Sequence, residues 1–393
     1  MSGRSFMLVA GEASGDLLAA ELVGELRRVL AGGPFAPRFL GAGGPRMAAA
    51  GVDLHVDLTR HAVTGLVEVL RHLRRFQRLL NELTCLASAR QPDVVVLVDF
   101  QAFNRRLARA LRRHVGPPDD WFHNWQPRLV QYVSPQVWAS RPGRAHALAR
   151  DLDLLLCLFP FEADWYAQHE PRLRVVAVGH PILDRHPPVD PAARWAAESA
   201  PVPEVLLLPG SRAGELRRHL PVMLAAARRI VAQRPARFAL VLPGEDLLAL
   251  ARELLAAGGV EVAMQVGGLG EALDRAAVAL ASTGTVTLEC AVRGVPAVAL
   301  YITAPLTYAV GRRLATVRHL AMPNVLAGAE VVPEFIQHRA TPENLADAVL
   351  TLLAEPERRE AQRRRYAEVV ARLGAPGASR RAAEAIMDLL CRA

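Results

Sequence analysis

The sequence predicts an α/β protein of two Rossmann-like, doubly wound domains facing a central cleft. Three observations carry that expectation. Apolar strand-like runs alternate with amphipathic helical stretches along most of the chain. The proline-rich stretch HPILDRHPPVDPAARWAAESAPVPE interrupts the alternation once, and the pattern restarts beyond it. The 393 residues also exceed the usual single domain, so two of roughly 150 to 200 residues are expected.

In order, FMLVA, RFLGAGG, DVVVLVD, RLVQYVS, LDLLLCLF and RVVAVG read as strands of a first parallel sheet, separated by helical stretches such as FNRRLARALRRHV. EVLLLPGSR, RFALVLPGE, VEVAMQVGG, AAVALASTGT and VPAVALY repeat the theme in a second. The expected domains are therefore 1–185 and 204–360, with 186–203 as linker and 361–393 as terminal helices that could cover the first domain. Two such domains place the carboxyl ends of their strands at a shared cleft, where open α/β sheets bind ligands. Polar clusters fall at those ends: GEASGD, Asp99, SPQVW, PGSR and STGT.

Composition narrows the chemistry. Half the residues are hydrophobic, yet none form about 20 uninterrupted apolar positions, and no cleavable leader opens the chain; a cytoplasmic chain without a membrane span is expected. Cys85, Cys157, Cys290 and Cys391 lack metal-ligand or C-x-x-C spacing, which points to reduced, mostly buried thiols. All 47 basic residues behind the net charge of +8 are arginine. The absence of lysine excludes a P-loop lysine, a Schiff-base lysine and a kinase strand lysine.

Each motif has two readings. GEASGD sits on a strand-loop-helix suited to phosphate, but Gly11 and Gly15 do not spell G-x-G-x-x-G. Gly210, Ser211 and Arg212 suit a diphosphate, or are a turn with a solvated arginine. Thr283, Gly284 and Thr285 offer hydroxyls and amides, with Glu289 one turn on to accept ribose hydroxyls; ordinary helix capping is the alternative. Asp151 and Asp153 form a D-x-D pair but precede their strand, away from the cleft, so no metal is expected there. Among twelve histidines, His180 beside the linker is the one to inspect. Residues 63–80 join an apolar stripe (Leu66, Val69, Leu70, Leu73, Phe76, Leu80) to Arg71, Arg74, Arg75 and Arg78; this helix lies on an anionic membrane or covers a sheet. Asp99, after DVVVLV, is a candidate general base or a helix cap.

AGEASGDLLAAEL, GAGGPRM, TGLVEVL, YVSPQVWA, LFPFE, VGHPILD, LLPGSR, TGTVTLE, PLTYAVGRRL and MPNVLAG, in that order, resemble the lipid A disaccharide synthases nearly end to end. These are inverting, metal-independent GT-B nucleotide-sugar glycosyltransferases. The resemblance implies transfer from UDP-2,3-diacylglucosamine to the 6-hydroxyl of 2,3-diacylglucosamine 1-phosphate, with no metal or redox cofactor. It implies that Arg212, Ser211, Thr283, Gly284, Thr285, Glu289 and Asn324 hold the donor in the second domain. Glu12, Ser14 and Gly15 would face the acceptor in the first domain, with Asp99 as base. It further implies a peripheral location on the cytoplasmic face of the inner membrane, and a homodimer is compatible with it. The family's D-x-P-D-F-N is DFQAFN here, with Ala102 for the second Asp; Ser140 and Thr64 replace a Trp and a Met, and 115–128 is an apparent insertion. The competing functions are another GT-B UDP-sugar enzyme, with a different acceptor or an epimerase, and a non-catalytic lipid or nucleic-acid binder. Nucleic acid is disfavoured because no aromatic residues interleave a basic patch.

Overall fold

The computed structural model describes residues 4–33, 35–58, 73–115, 125–139, 142–186, 200–314 and 317–392. Two units emerge, Met1–Pro181 with Leu373–Ala393, and Ile182–Arg372.

In the first unit, strands β1 (Ser5–Ala10), β2 (Arg38–Gly43), β3 (Asp53–Asp57), β4 (Val94–Val98), β5 (Arg128–Tyr132), β6 (Leu154–Cys157) and β7 (Val175–Ala177) form a parallel sheet in the order β3-β2-β1-β4-β5-β6-β7. Val94 to Val98 are wholly buried because helices cover both faces, which is why this strand reads as an unbroken apolar run. Helices Ala13–Val29, Leu73–Arg90, Gln101–Val115 and Ala378–Cys391 pack in this unit, the last against Ala13–Val29 and against β5 and β6.

In the second unit, β8 (Glu204–Leu208), β9 (Arg237–Leu242), β10 (Ala263–Val266), β11 (Val278–Ser282), β12 (Ala297–Tyr301) and β13 (Glu334–Ile336) are again parallel, in the order β10-β9-β8-β11-β12-β13. Helix Ala213–Val231 buries Leu216, Leu220, Met223, Leu224 and Ile230 against this sheet.

Both sheets reverse strand order once, at β1/β4 and at β8/β11, and a doubly wound sheet binds ligands at that switch point. β3 and β13, absent from the sequence reading, extend the two sheets at an edge. The cysteine expectation needs correction: Cys157 and Cys290 are buried, but Cys85 and Cys391 are exposed. Residues 63–72 of the basic amphipathic segment, most of the linker, Ser140 and most of the 115–128 insertion lie outside the described residues.

Candidate functional site

At the first switch point the loops after β1 and β4 meet through missing side chains. A Cβ on Gly11 would lie 2.3 Å from the Phe100 ring, so only glycine admits that ring. A Cβ on Gly15 would stand 3.7 Å from the Asp99 Cβ, which places the start of helix Ala13–Val29 beside the candidate base. Glu12 is the half-buried N-cap residue of that helix, Ser14 is exposed and Gly15 is buried. Asp16 has a structural task. Its carboxylate accepts hydrogen bonds from the amides of Gly44 (2.8 Å), Arg46 (3.0 Å) and Met47 (3.1 Å).

Asp99 is half-buried and takes φ +48°, followed by Phe100 at +42°, a left-handed pair that non-glycine residues rarely adopt. The surroundings hold it there. Asp99 N donates to Tyr132 O (2.8 Å), and Asp99 O accepts from Asn104 Nδ2 (2.9 Å) and Gln131 Nε2 (3.3 Å). Asn104 also donates to Val98 O (3.2 Å) and Val9 O (3.4 Å), so one buried amide ties the ends of β1 and β4 together. The next helix starts at Gln101, and Phe100 O accepts from Phe103 N and Asn104 N. Phe100 therefore takes the cap position, and Asp99 lies one residue before it.

Next to this switch point, at the ends of β5 and β6, Glu162 is buried. It accepts from Trp138 Nε1 (3.1 Å) and Phe159 N (3.2 Å), and desolvation pushes its carboxyl up to about 7. Tyr166 OH and Ser134 Oγ lie 3.3 Å apart beside it. His180 packs on Phe159, with ring centroids 5.6 Å apart. Asp153 accepts from Leu129 N (2.7 Å) and from Arg112, and Asp151 from Arg150. The D-x-D carboxylates thus fasten backbone and arginine. Among the described residues, no group of three His, Cys, Asp or Glu is placed to hold a metal ion.

At the second switch point, Gly210 has φ +115°, and a Cβ there would strike Glu215 Oε2 at 2.3 Å. Glu215 Oε2 accepts from Ser211 N (3.1 Å), and Oε1 lies 3.4 Å from Arg212. Arg212 is the N-cap residue of Ala213–Val231; it and Ser211 are exposed. Across the switch, Gly284 caps helix Thr285–Val292 with φ +121°, Thr283 is half-buried and Thr285 is exposed. Two helix N-termini therefore end at neighbouring strand ends, and helix N-termini favour anions.

Glu289, one turn along from Thr285, stands 3.4 Å from His186 Nε2. His186 escaped the sequence reading; its signal is only that it follows VGHPILD at the unit boundary. Asn104 escaped it too, although DFQAFN contains it. Asn324, expected at the donor, spends its side chain on backbone hydrogen bonds. It is fully buried; its Nδ2 donates to Val332 O (2.8 Å), and its Oδ1 accepts from Val331 N and Val332 N (2.8 Å each). The side chain clamps a loop and has no face turned to solvent.

The lipid-A-disaccharide synthetase family model matches residues 6–388. The lipid-A-disaccharide synthase of Alkalilimnicola ehrlichii is 41% identical over 94% of this chain and 95% of that one. Its namesake from Anaeromyxobacter dehalogenans is 39% identical over 98% and 97%. Among solved structures, MurG of Acinetobacter baumannii superposes with a TM-score of 0.57 at 14% identity, covering 98% of this chain and 99% of that one, a likeness of fold. Among the described residues, no helix is long and apolar enough to cross a membrane. The switch-point geometry and an end-to-end match at about 40% identity lead to one assignment: the chain belongs to the lipid-A-disaccharide synthetase family.

Proposed function

We propose that the chain transfers the sugar of UDP-2,3-diacylglucosamine to the 6-hydroxyl of 2,3-diacylglucosamine 1-phosphate, with inversion, releasing UDP. Its reaction class follows from the family: it is a glycosyltransferase at the disaccharide-forming step of lipid A biosynthesis. The observation that carries the substrate reading is the pair of helix N-termini at the β8/β11 switch point, with Arg212 at one and Gly284 at the other. Amides there and the guanidinium bind the diphosphate and stabilise the charge that grows on it as the glycosidic C–O bond breaks. Thr283 and Thr285 add hydroxyl donors. Glu289, oriented by His186, accepts the ribose hydroxyls, and Asn324 supports the site from behind. In the first unit Glu12, Ser14 and Gly15 line the acceptor side, and the Asp99 carboxylate removes the proton from the attacking hydroxyl.

Incubation of the protein with both acylated substrates in anionic vesicles, read by mass spectrometry, tests the reaction. The expected products are the disaccharide 1-phosphate and UDP; a single altered sugar would indicate an epimerase. Flotation of the activity with the vesicles tests peripheral attachment to an anionic membrane surface; activity left in the soluble fraction at low salt would overturn it. For the donor site, Arg212→Ala is expected to weaken UDP by about 1.5 to 3 kcal/mol, the scale of a charged hydrogen bond. Unchanged UDP affinity by calorimetry removes Arg212 from the site.

A further inference from the structure

His219 lies in the apolar stripe of helix Ala213–Val231, between Leu216 and Met223, and is fully buried. A histidine there is costly unless both ring nitrogens are satisfied, and they are. Nδ1 lies 2.7 Å from Pro209 O, a group that only accepts, so Nδ1 carries the proton. With Nδ1 protonated, Nε2 accepts from Ile302 N at 3.0 Å, the shorter of its two contacts with that residue, Ile302 O lying 3.2 Å away. Burial lowers the imidazole's pKa and favours this neutral form.

The two partners matter because of where they sit. Pro209 immediately precedes Gly210, Ser211 and Arg212, whereas Ile302 immediately follows β12. β8 and β12 flank β11 on either side, and Thr283 N donates to Leu300 O (3.0 Å) at the end of β11. Thr303 is fastened in turn to Gln337 by two hydrogen bonds, of 3.1 and 2.8 Å. One imidazole thus spans the two loops on either side of the Thr283–Thr285 turn.

We propose that His219 is a positioning residue for the donor nucleotide, holding the 209–212 loop and the 302–303 loop at the separation that lets both sides of the β11 turn engage UDP. This inference rests on the donor-site reading above. The two bonds can be cut separately. His219→Asn places an amide nitrogen near the Nδ1 position and loses Ile302; His219→Gln places an amide oxygen near Nε2 and loses Pro209. Each is expected to raise the UDP dissociation constant and the donor KM by about tenfold, the effect of one lost buried hydrogen bond, with the acceptor KM unchanged. A folded variant of either kind that binds UDP within about twofold of the parent overturns the proposal, as does an equal rise in both KM values.

Hydrogen exchange on the unaltered protein gives a readout that needs no substitution. UDP is expected to slow amide exchange at 301–303 as well as at 210–212, and protection confined to 210–212 overturns the coupling. If neither Arg212→Ala nor the His219 variants weaken UDP, the donor-site reading itself fails; if Arg212→Ala weakens UDP and the His219 variants do not, only this inference fails.

Discussion

Asp99 carries a conformation that its own side chain disfavours, and the residues around it explain why it persists. Its φ of +48° and that of Phe100 at +42° are held by Asn104, Gln131 and the end of β5, and the Phe100 ring fills the space that Gly11 leaves. Such strain, of order 1 to 3 kcal/mol per residue, survives where surrounding contacts fix the backbone, and it clusters at functional sites. The sequence located Asp99 by its place after an apolar strand, but could not show that the cap position belongs to Phe100. Asp99→Asn keeps the side chain's shape and removes its basicity. Turnover is expected to fall by about 10² to 10⁴, with UDP affinity nearly intact. Steady-state rates together with UDP calorimetry check this; a variant keeping more than about a tenth of parental turnover would send the search for the base elsewhere.

At the scale of elements, strands buried on both faces were legible because their apolar runs have no polar interruption. VVVLV and EVLLL are examples. DLHVD and EFI were not legible: β3 and β13 are short edge strands, and the solvent side of an edge needs no apolar residue. The same limit applies to polar side chains. Asn324 and Glu289 both follow plausible motifs, yet one spends its amide on the backbone and the other faces His186, a difference made by tertiary contacts. SPQVW and LFPFE were legible as motifs, but not as partners that bury Glu162.

That burial has a pH consequence. The folded state holds the Glu162 proton up to about 7, against an ordinary 4.5, chiefly through desolvation. Between these values the unfolded chain has released the proton and the folded chain has not, so stability from this group falls as pH rises. It is fully present below about 4.5 and lost above about 7, and amounts to at most about 3 kcal/mol. Glu162→Gln removes the titration. Denaturant unfolding from pH 4.5 to 7.5 is expected to show the parent losing stability relative to the variant; parallel pH profiles would contradict a raised Glu162.

Across the whole molecule, the chain completes its first unit last. Residues 373–393 return to it after the second unit has been traced, and helix Ala378–Cys391 lays Ala382, Ile386, Leu389 and Leu390 into its core. Polar contacts fix the return. His180 N donates to Leu373 O (3.0 Å), Arg381 Nε to Val178 O (2.8 Å), and Arg174 pairs with Asp388. The sequence offered 361–393 as terminal helices that could cover the first domain, but not the residues that fasten them, because contacts some 200 residues apart leave no local periodicity. This topology separates stability from donor binding. Ile386→Ala removes a fully buried side chain from the first unit at a cost of about 2 to 5 kcal/mol. Tryptophan fluorescence in a Trp195→Phe background reports on it, since Trp195 falls within Ile182–Arg372 whereas Trp125, Trp138 and Trp165 lie in the first unit. Their unfolding transition is expected to move to lower temperature, while UDP affinity measured below that transition stays within about twofold of the parent. An unshifted transition would mean that the terminal helix does not stabilise the first unit. A parallel loss of UDP affinity would mean that donor binding depends on that unit's integrity, against the assignment of the nucleotide to Ile182–Arg372.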